Sequence, residues 1–153
     1  MKLCQQIALS LFAITALALH AQEHKIARTA LPAAVEKTVQ ANTQGATIKG
    51  FATEMEGGKK VFEAETVVNG HTRDLQIAAD GTLNEIEEEV AFDKLSPAVQ
   101  KALTGKAGSA KIVKVESLTK KDKLVAYEAA TLKGTRKGEV QVGPNGETLK
   151  HEE

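Results

Sequence analysis

The sequence predicts an α+β protein built from two tandem helix-plus-antiparallel-strand units, with the sheet packed against the helices. Three observations carry that expectation. Apolar residues at helical spacing occur twice along the chain, each such stretch is followed by segments of period two, and the residue types recur at a nearly constant offset. Ala34, Val35, Ala46 and Ile48 return as Ala98, Val99, Ala110 and Ile112, each 64 positions further on. One insertion later, Phe62-Glu63-Ala64 matches Tyr127-Glu128-Ala129, and Asp80-Gly81 matches Asn145-Gly146.

The first stretch, MKLCQQIALSLFAITALALHA, has the order of a secretory signal: Lys2, an uncharged apolar block from Ile7 to Leu19, then small residues before Gln22. The block is shorter than the roughly 18 to 20 residues that span a bilayer, so cleavage after Ala21 is expected rather than anchoring. That places the protein in the periplasm or outside the cell, with no stable membrane insertion after cleavage. Cys4 lies ahead of the apolar block, whereas a lipoprotein signal carries its cysteine at the cut. Loss of residues 1–21 removes the one cysteine. Disulfides, thiolate metal sites and thiol nucleophiles go with it.

The full chain carries 20 Lys plus Arg and 20 Asp plus Glu, and removal of Lys2 leaves 19 against 20. Lys and Glu alternate, with no basic stripe and no interleaved stacking aromatics, so nucleic acid is excluded as a partner class.

Two repeats are expected, 22–90 and 91–153, meeting at Ala91 to Lys94. In the first, Leu31, Ala34, Val35 and Val39 share a helix face, with Pro32 near its start. In the second, Leu95, Ala98, Val99, Ala102 and Leu103 fall at relative spacings 0, 3, 4, 7 and 8, behind a Ser96 cap and Pro97 in the first turn. Both helices are expected to stop at Gly-containing turns, Gly45 and Gly105. Phe62, Ala64, Thr66 and Val68 then alternate with a more charged face, as in a half-buried strand. Asn69-Gly70 makes a tight hairpin, Leu75 and Ile77 continue, and Asp80-Gly81 turns into a run from Thr82 to Val90. The second repeat reads Ala110 to Ser117, Leu124 to Leu132, Thr135 to Val142, and a short last strand from Glu147 to Lys150. With no Pro- or Ser-rich linker between them, the repeats are expected to pack together or share a sheet.

The segments LPAAVEKTVQ, ATIKGFATEM, KVFEAETVVNG and LQIAADGTL, followed by LSPAVQKAL, AKIVKVE, LVAYEAATLKG and VQVGPNGETL, resemble the PepSY-like family. They are similar in particular to the tandem-repeat proteins grouped with beta-lactamase inhibitory proteins. The likeness covers nearly all of the chain after the signal and rests on the helix-strand pattern and DG-type turns. It implies a non-enzymatic exported module that binds, and in some cases inhibits, an enzyme outside the cytoplasm. Secreted inhibitors of that shape carry disulfides and an aromatic-rich surface, which this chain lacks.

Chemistry-bearing constellations are sparse. After the signal the histidines are His24, His71 and His151, with no i, i+4 metal pair. Ser117-Leu118-Thr119-Lys120 matches S-x-x-K only formally, without its partner motifs. The run Glu85, Glu87, Glu88, Glu89 reads as a solvated strand face lacking a calcium loop, and Lys120, Lys121 and Lys123 as a soluble hairpin. No catalytic residue, cofactor site or metal site is expected. Phe62 and Tyr127 hold equivalent positions and are assigned to the core. Phe51 has the strand parity opposite to Ile48, which predicts an exposed ring and makes it the candidate partner anchor. His71 and Arg73 form a candidate polar patch on one strand face. The expected function is binding or modulation of an envelope or secreted protein; the alternatives are a carrier with a small molecule or peptide in a cleft between the repeats, and a hydrolase. The intact mass of exported protein should correspond to a chain starting at Gln22; a mass retaining Met1 to Ala21, or a lipid on Cys4, would contradict the signal reading.

Overall fold

The computed structural model describes residues 23–153; the expected signal segment, with Cys4, lies outside the described residues. The elements in order are β1 (His24–Ile26), α1 (Ala33–Asn42), β2 (Thr47–Glu56), β3 (Lys59–Val68), β4 (His71–Ala78), β5 (Leu83–Glu89), α2 (Pro97–Ala107), β6 (Lys111–Lys120), β7 (Lys123–Lys133) and β8 (Arg136–Val142). Single 3-10 turns, Arg28–Ala30 and Phe92–Lys94, lead into the two helices.

The helices begin where the sequence predicts and end elsewhere. Ser96 Oγ accepts the Val99 N–H at 3.3 Å, and Pro97 occupies the first turn of α2. α1 stops at Asn42, ahead of Gly45, where the Asn42 side-chain amide donates to Thr38 O at 2.8 Å. α2 runs through Gly105 and ends against Gly108, whose φ of 58° takes the chain out of the helix. A lone glycine costs a helix only about 1 kcal/mol, and burial of Val99 and Leu103 on the core face of α2 outweighs it.

Tight turns connect neighbouring strands. Asn69 and Gly70 have φ of 52° and 90°, and Gly57 and Gly58 have 54° and 78°, the two left-handed positions of a type I′ hairpin. Lys121 and Asp122 adopt the same pair of conformations, φ 52° and 59°, without a glycine.

All strands pair antiparallel in chain order, β1 through β8, in one sheet. The expected α+β fold of two helix-plus-strand units is therefore corrected to a mostly β protein: half of the described residues are in strands, and the helices are two short ones. The deciding contact is β5 against β6, with Ile86, Glu87, Glu88 and Glu89 opposite Thr119, Leu118, Ser117 and Glu116. That ladder fuses what would have been two sheets. The expected last strand, Glu147 to Lys150, does not form.

Both helices lie on one sheet face, over two apolar clusters. Val35 and Val39 of α1 pack with Phe51, Phe62, Ala64, Leu75 and Ile77. Val99 and Leu103 of α2 pack with Leu95, Val115, Ala129 and Val142, and Tyr127 borders that cluster. Phe51 is thus a core residue, 7% exposed, and not the exposed anchor that parity predicts. A register shift between Ile48 and Gly50 inserts a bulge, which returns the strand to the same face after an odd count of residues.

Two turn glycines press on the helices. A Cβ on Gly81 would sit 2.8 Å from Ala34 O, and one on Gly146 would sit 2.7 Å from Ala98 O, both at positive φ. The Thr38 hydroxyl donates to Gly81 O at 2.6 Å, fastening α1 to this turn. Gly81→Ala should lower unfolding free energy by about 2 kcal/mol or more, from left-handed strain plus backbone overlap, and Gly146→Ala by a similar amount. Gly134→Ala, with nothing near its Cβ, should cost about 1 kcal/mol. Urea denaturation of the three variants tests that ranking.

Candidate functional site: an acidic concave sheet face

Every second strand residue points away from the helices, and this opposite face collects carboxylates. Glu63 stands opposite Gln76 and Ala52, Asp74 opposite Glu87, and Glu128 opposite Gln141 and Glu116. In a flat sheet, seven spacings of about 4.8 Å would put the first and last strands roughly 34 Å apart. Yet one cavity of about 390 Å³ is lined by Glu23 beside β1, Glu54, Glu63, Asp74, Gln76, Glu87, Glu128, and Glu139 of β8. The sheet is bent so that its two ends face a common space. The uncovered face is concave, which explains how Leu118 and Ala126, on that face with no helix over them, are buried.

Cations sit around this cluster in their own pairs. Lys25 pairs with Glu65 at 3.3 Å, Lys114 with Glu116 at 2.6 Å, and Lys120 with Glu85 at 3.4 Å. Glu63 and Glu87 have no ion-pair or hydrogen-bond partner among the described residues. Burial, then the charges of Asp74, Glu23, Glu54 and Glu65, pushes the Glu63 carboxyl up to about 7. Burial, then Glu116, Glu85, Glu128 and Glu63, pushes Glu87 up to about 8. Glu54, Asp74, Glu85 and Glu128 are also raised, foremost by burial. Hydrogen bonds oppose this: Gln76 Nε2 donates to Glu54 at 3.3 Å, the Thr66 N–H to Asp74 at 2.9 Å and Gln141 Nε2 to Glu128 at 2.6 Å, while the charge and hydrogen bond of Lys120 oppose it at Glu85. Burial and neighbouring like charge thus make Glu63 and Glu87 the most readily protonated carboxyls of the cluster, and a positive charge placed beside them would favour their ionised forms.

The residues singled out in the sequence lie elsewhere. Phe51 is under Arg28, whose guanidinium is 5.7 Å from the ring centre. Arg73 is part-buried on the helix-bearing face, where its Nη1 donates to Asn42 O at the end of α1, 3.0 Å away. His71 is exposed at the start of β4. His71 and Arg73, two apart on β4, share a strand face, and Arg73 makes a helix-capping contact there. The Glu85 to Glu89 run is corrected as well: Glu85 is 3% exposed, and Glu87 points into the concave cluster. The usable signal was the shared parity of Glu63, Glu87, Glu116, Glu128 and Glu139, which only the pairing register reveals.

No described group of three or more His, Cys, Asp or Glu residues is arranged to hold a metal ion. Ser117 Oγ donates to Glu88 O at 3.3 Å on the helix-bearing side, away from the carboxylates. Among the described residues no helix is long and apolar enough to cross a membrane.

No protein-family model matches the chain, and no curated protein matches it. Solved structures do. A BLIP-like protein from Bacteroides fragilis is 19% identical with a TM-score of 0.56, over 78% of this chain and 83% of that one. The fold is BLIP-like. A DUF2874 family protein from Bacteroides ovatus gives 18% identity and a TM-score of 0.59, covering 78% and 85%. A candidate periplasmic protein from Bacteroides eggerthii gives 17% and 0.63, covering 78% and 86%. At these identities the likeness is one of fold, and the PepSY-like resemblance rests on the residue pattern alone.

The raised carboxyls set a pH dependence. The folded protein holds protons on Glu63 and Glu87 that the unfolded chain releases near the ordinary carboxyl value of 4.5. Their contribution to stability is thus fully present below about pH 4.5 and is lost as pH rises through about 7 and 8. The urea midpoint should be higher at about pH 6 than at about pH 8.5, and Glu63→Gln with Glu87→Gln should flatten that slope.

Proposed function

We propose that this is an exported, non-enzymatic binding protein whose concave acidic face recognises a basic surface of an envelope or secreted protein, as a modulator or inhibitor of it. The observation that supports this is a concave face bare of helices, lined with carboxylates, two of which lack any partner among the described residues. Export is supported by the signal-like segment, and a periplasmic location also by the candidate periplasmic protein of similar fold. We read residues 22–90 and 91–153 as PepSY-like repeats that supply the face jointly: Glu63 and Asp74 from one, Glu128 and Glu139 from the other. A carrier in the cleft between repeats would call for a largely apolar pocket with a few polar groups, and the cavity here is lined by acids and one amide.

The test is capture from envelope extract by the immobilised protein and by a Glu63→Lys/Glu128→Lys variant. A basic partner should be retained by the first and lost, by about tenfold or more, from the second. Capture should strengthen from about pH 6 to about pH 8, as Glu63 and Glu87 ionise, and weaken with salt. Equal retention by both proteins would sink this reading. So would turnover of generic ester, peptide or phosphate substrates that Glu87→Gln abolishes.

A further inference from the structure

Charge divides unevenly between the two halves of the chain. Residues 22–90 carry 7 Lys plus Arg against 12 Asp plus Glu, and residues 91–153 carry 12 against 8. Part of the second half's excess gathers at one end of the sheet. A cavity of about 270 Å³ lies there between the end of α2 and the β7–β8 hairpin, with Lys106, Lys133, Arg136 and Lys137 in its wall. None of these four side chains has an ion-pair or hydrogen-bond partner among the described residues. Lys106, in the last turn of α2, balances the negative end of that helix. Glu139 is the one acid of the lining and borders the concave face as well, so the cavity keeps a net positive charge.

The first half shows that the fold does not require this arrangement. Val68 opposite His71 and Lys133 opposite Arg136 close corresponding hairpins. Val68, His71 and Thr72 therefore stand where the second half has Lys133, Arg136 and Lys137, and Arg73 stands where it has Gly138. Asn42, 64 positions before Lys106, ends α1. The two strands are held alike, since the Thr66 hydroxyl donates to Arg73 O and the Thr131 hydroxyl to Gly138 O at 2.9 Å. In the first half Arg73 reaches the helix end, its Nη1 donating to Asn42 O at 3.0 Å. Glycine at 138 removes that side chain and leaves a cavity with cations around it. Like charges gathered without partners repel one another, and a bound anion relieves that repulsion.

We propose that this cavity is a binding site for a phosphate monoester group. Its cations come from the end of α2, the end of β7 and the start of β8, so they surround a point and do not form the long stripe that a nucleic-acid backbone needs. A phosphate monoester carries about −1.5 to −2 charge at neutral pH in one compact group, and the Arg136 fork and the lysine heads supply donors for its oxygens. Ala107, Ala110 and Val140 give the wall an apolar part for the organic side of the ester. The volume is just below the roughly 300 Å³ at which small-ligand pockets begin, which suits a headgroup-sized occupant, free or carried by a lipid. The site is separate from the acidic concave face and does not depend on it.

The experiment follows amide NMR shifts of the whole protein titrated with glycerol 1-phosphate in phosphate-free buffer, and cosedimentation with phosphatidylcholine vesicles with and without phosphatidic acid. Saturable shifts at Lys106 to Ala110 and Lys133 to Gly138 are expected, half-complete below about 1 mM, with acetate weaker by about tenfold or more. Response to the soluble ester alone would assign the site to a free molecule, and cosedimentation only with phosphatidic acid to a lipid headgroup; both support the proposal. Lys133→Glu/Arg136→Glu should weaken binding about tenfold or more. Lys121→Glu/Lys123→Glu, the same charge change at the opposite end of these strands, should change it less than about twofold. Gly138→Arg restores the first half's arrangement and should abolish saturation even though it adds a positive charge. The proposal is overturned if neither probe binds saturably or if acetate equals the phosphate ester. It is also overturned if affinity merely follows net charge, rising in Gly138→Arg and falling equally in both double variants.

Discussion

Four residue pairs between β5 and β6 hold the molecule in one sheet, and the other features follow from them. Val90 extends the junction, its N–H reaching Val115 O at 2.9 Å. The ladder sets Glu87 against Leu118 and aligns the parity of β1 to β5 with that of β6 to β8. Both helices therefore land on the same side, and all the inward-facing acids on the other. A slip of one residue at this junction would turn Glu87 to the helix side and Ile86 outward. The apolar clusters oppose such a slip, since Ile86 packs against the first of them.

Curvature then turns a row of strand carboxylates into an electrostatic device. Alternating charge on an exposed flat sheet would remain hydrated and ordinary. Bending removes water and brings like charges together, and the cost is relieved by proton uptake at Glu63 and Glu87 instead of by internal cations. The lysines Lys25, Lys114 and Lys120 are committed to Glu65, Glu116 and Glu85. The middle keeps Glu63 and Glu87 without a cation of their own among the described residues.

Much of the local structure was legible. The apolar faces of α1 and α2, the Ser96 cap, the Asn69-Gly70 hairpin and the core positions of Phe62 and Tyr127 are written in short-range spacing. The fold class was not, because it turns on one ladder between strands separated by α2. Phe51 was misplaced for a similar reason: a bulge at Ile48 and Gly50 changes parity with little mark in the residues. Lys121-Asp122 forms a left-handed turn that normally advertises itself with Asn or Gly. The acids of the concave face were visible one by one, but their assembly depends on register and curvature, which no single strand encodes.

Strict neighbour order along the sheet also bears on how the chain acquires its structure. Each strand pairs with the one before it, across a short turn or, for β2 and β6, across a helix, α1 and α2 respectively. Such local closures cost little loop entropy and favour rapid zipping from either end. β6 must wait for α2 to be spanned before it meets β5. The closure across α2 is the one that brings the glutamates of the two halves to a common hollow, so a chain in which β5 and β6 have not met keeps them apart and hydrated.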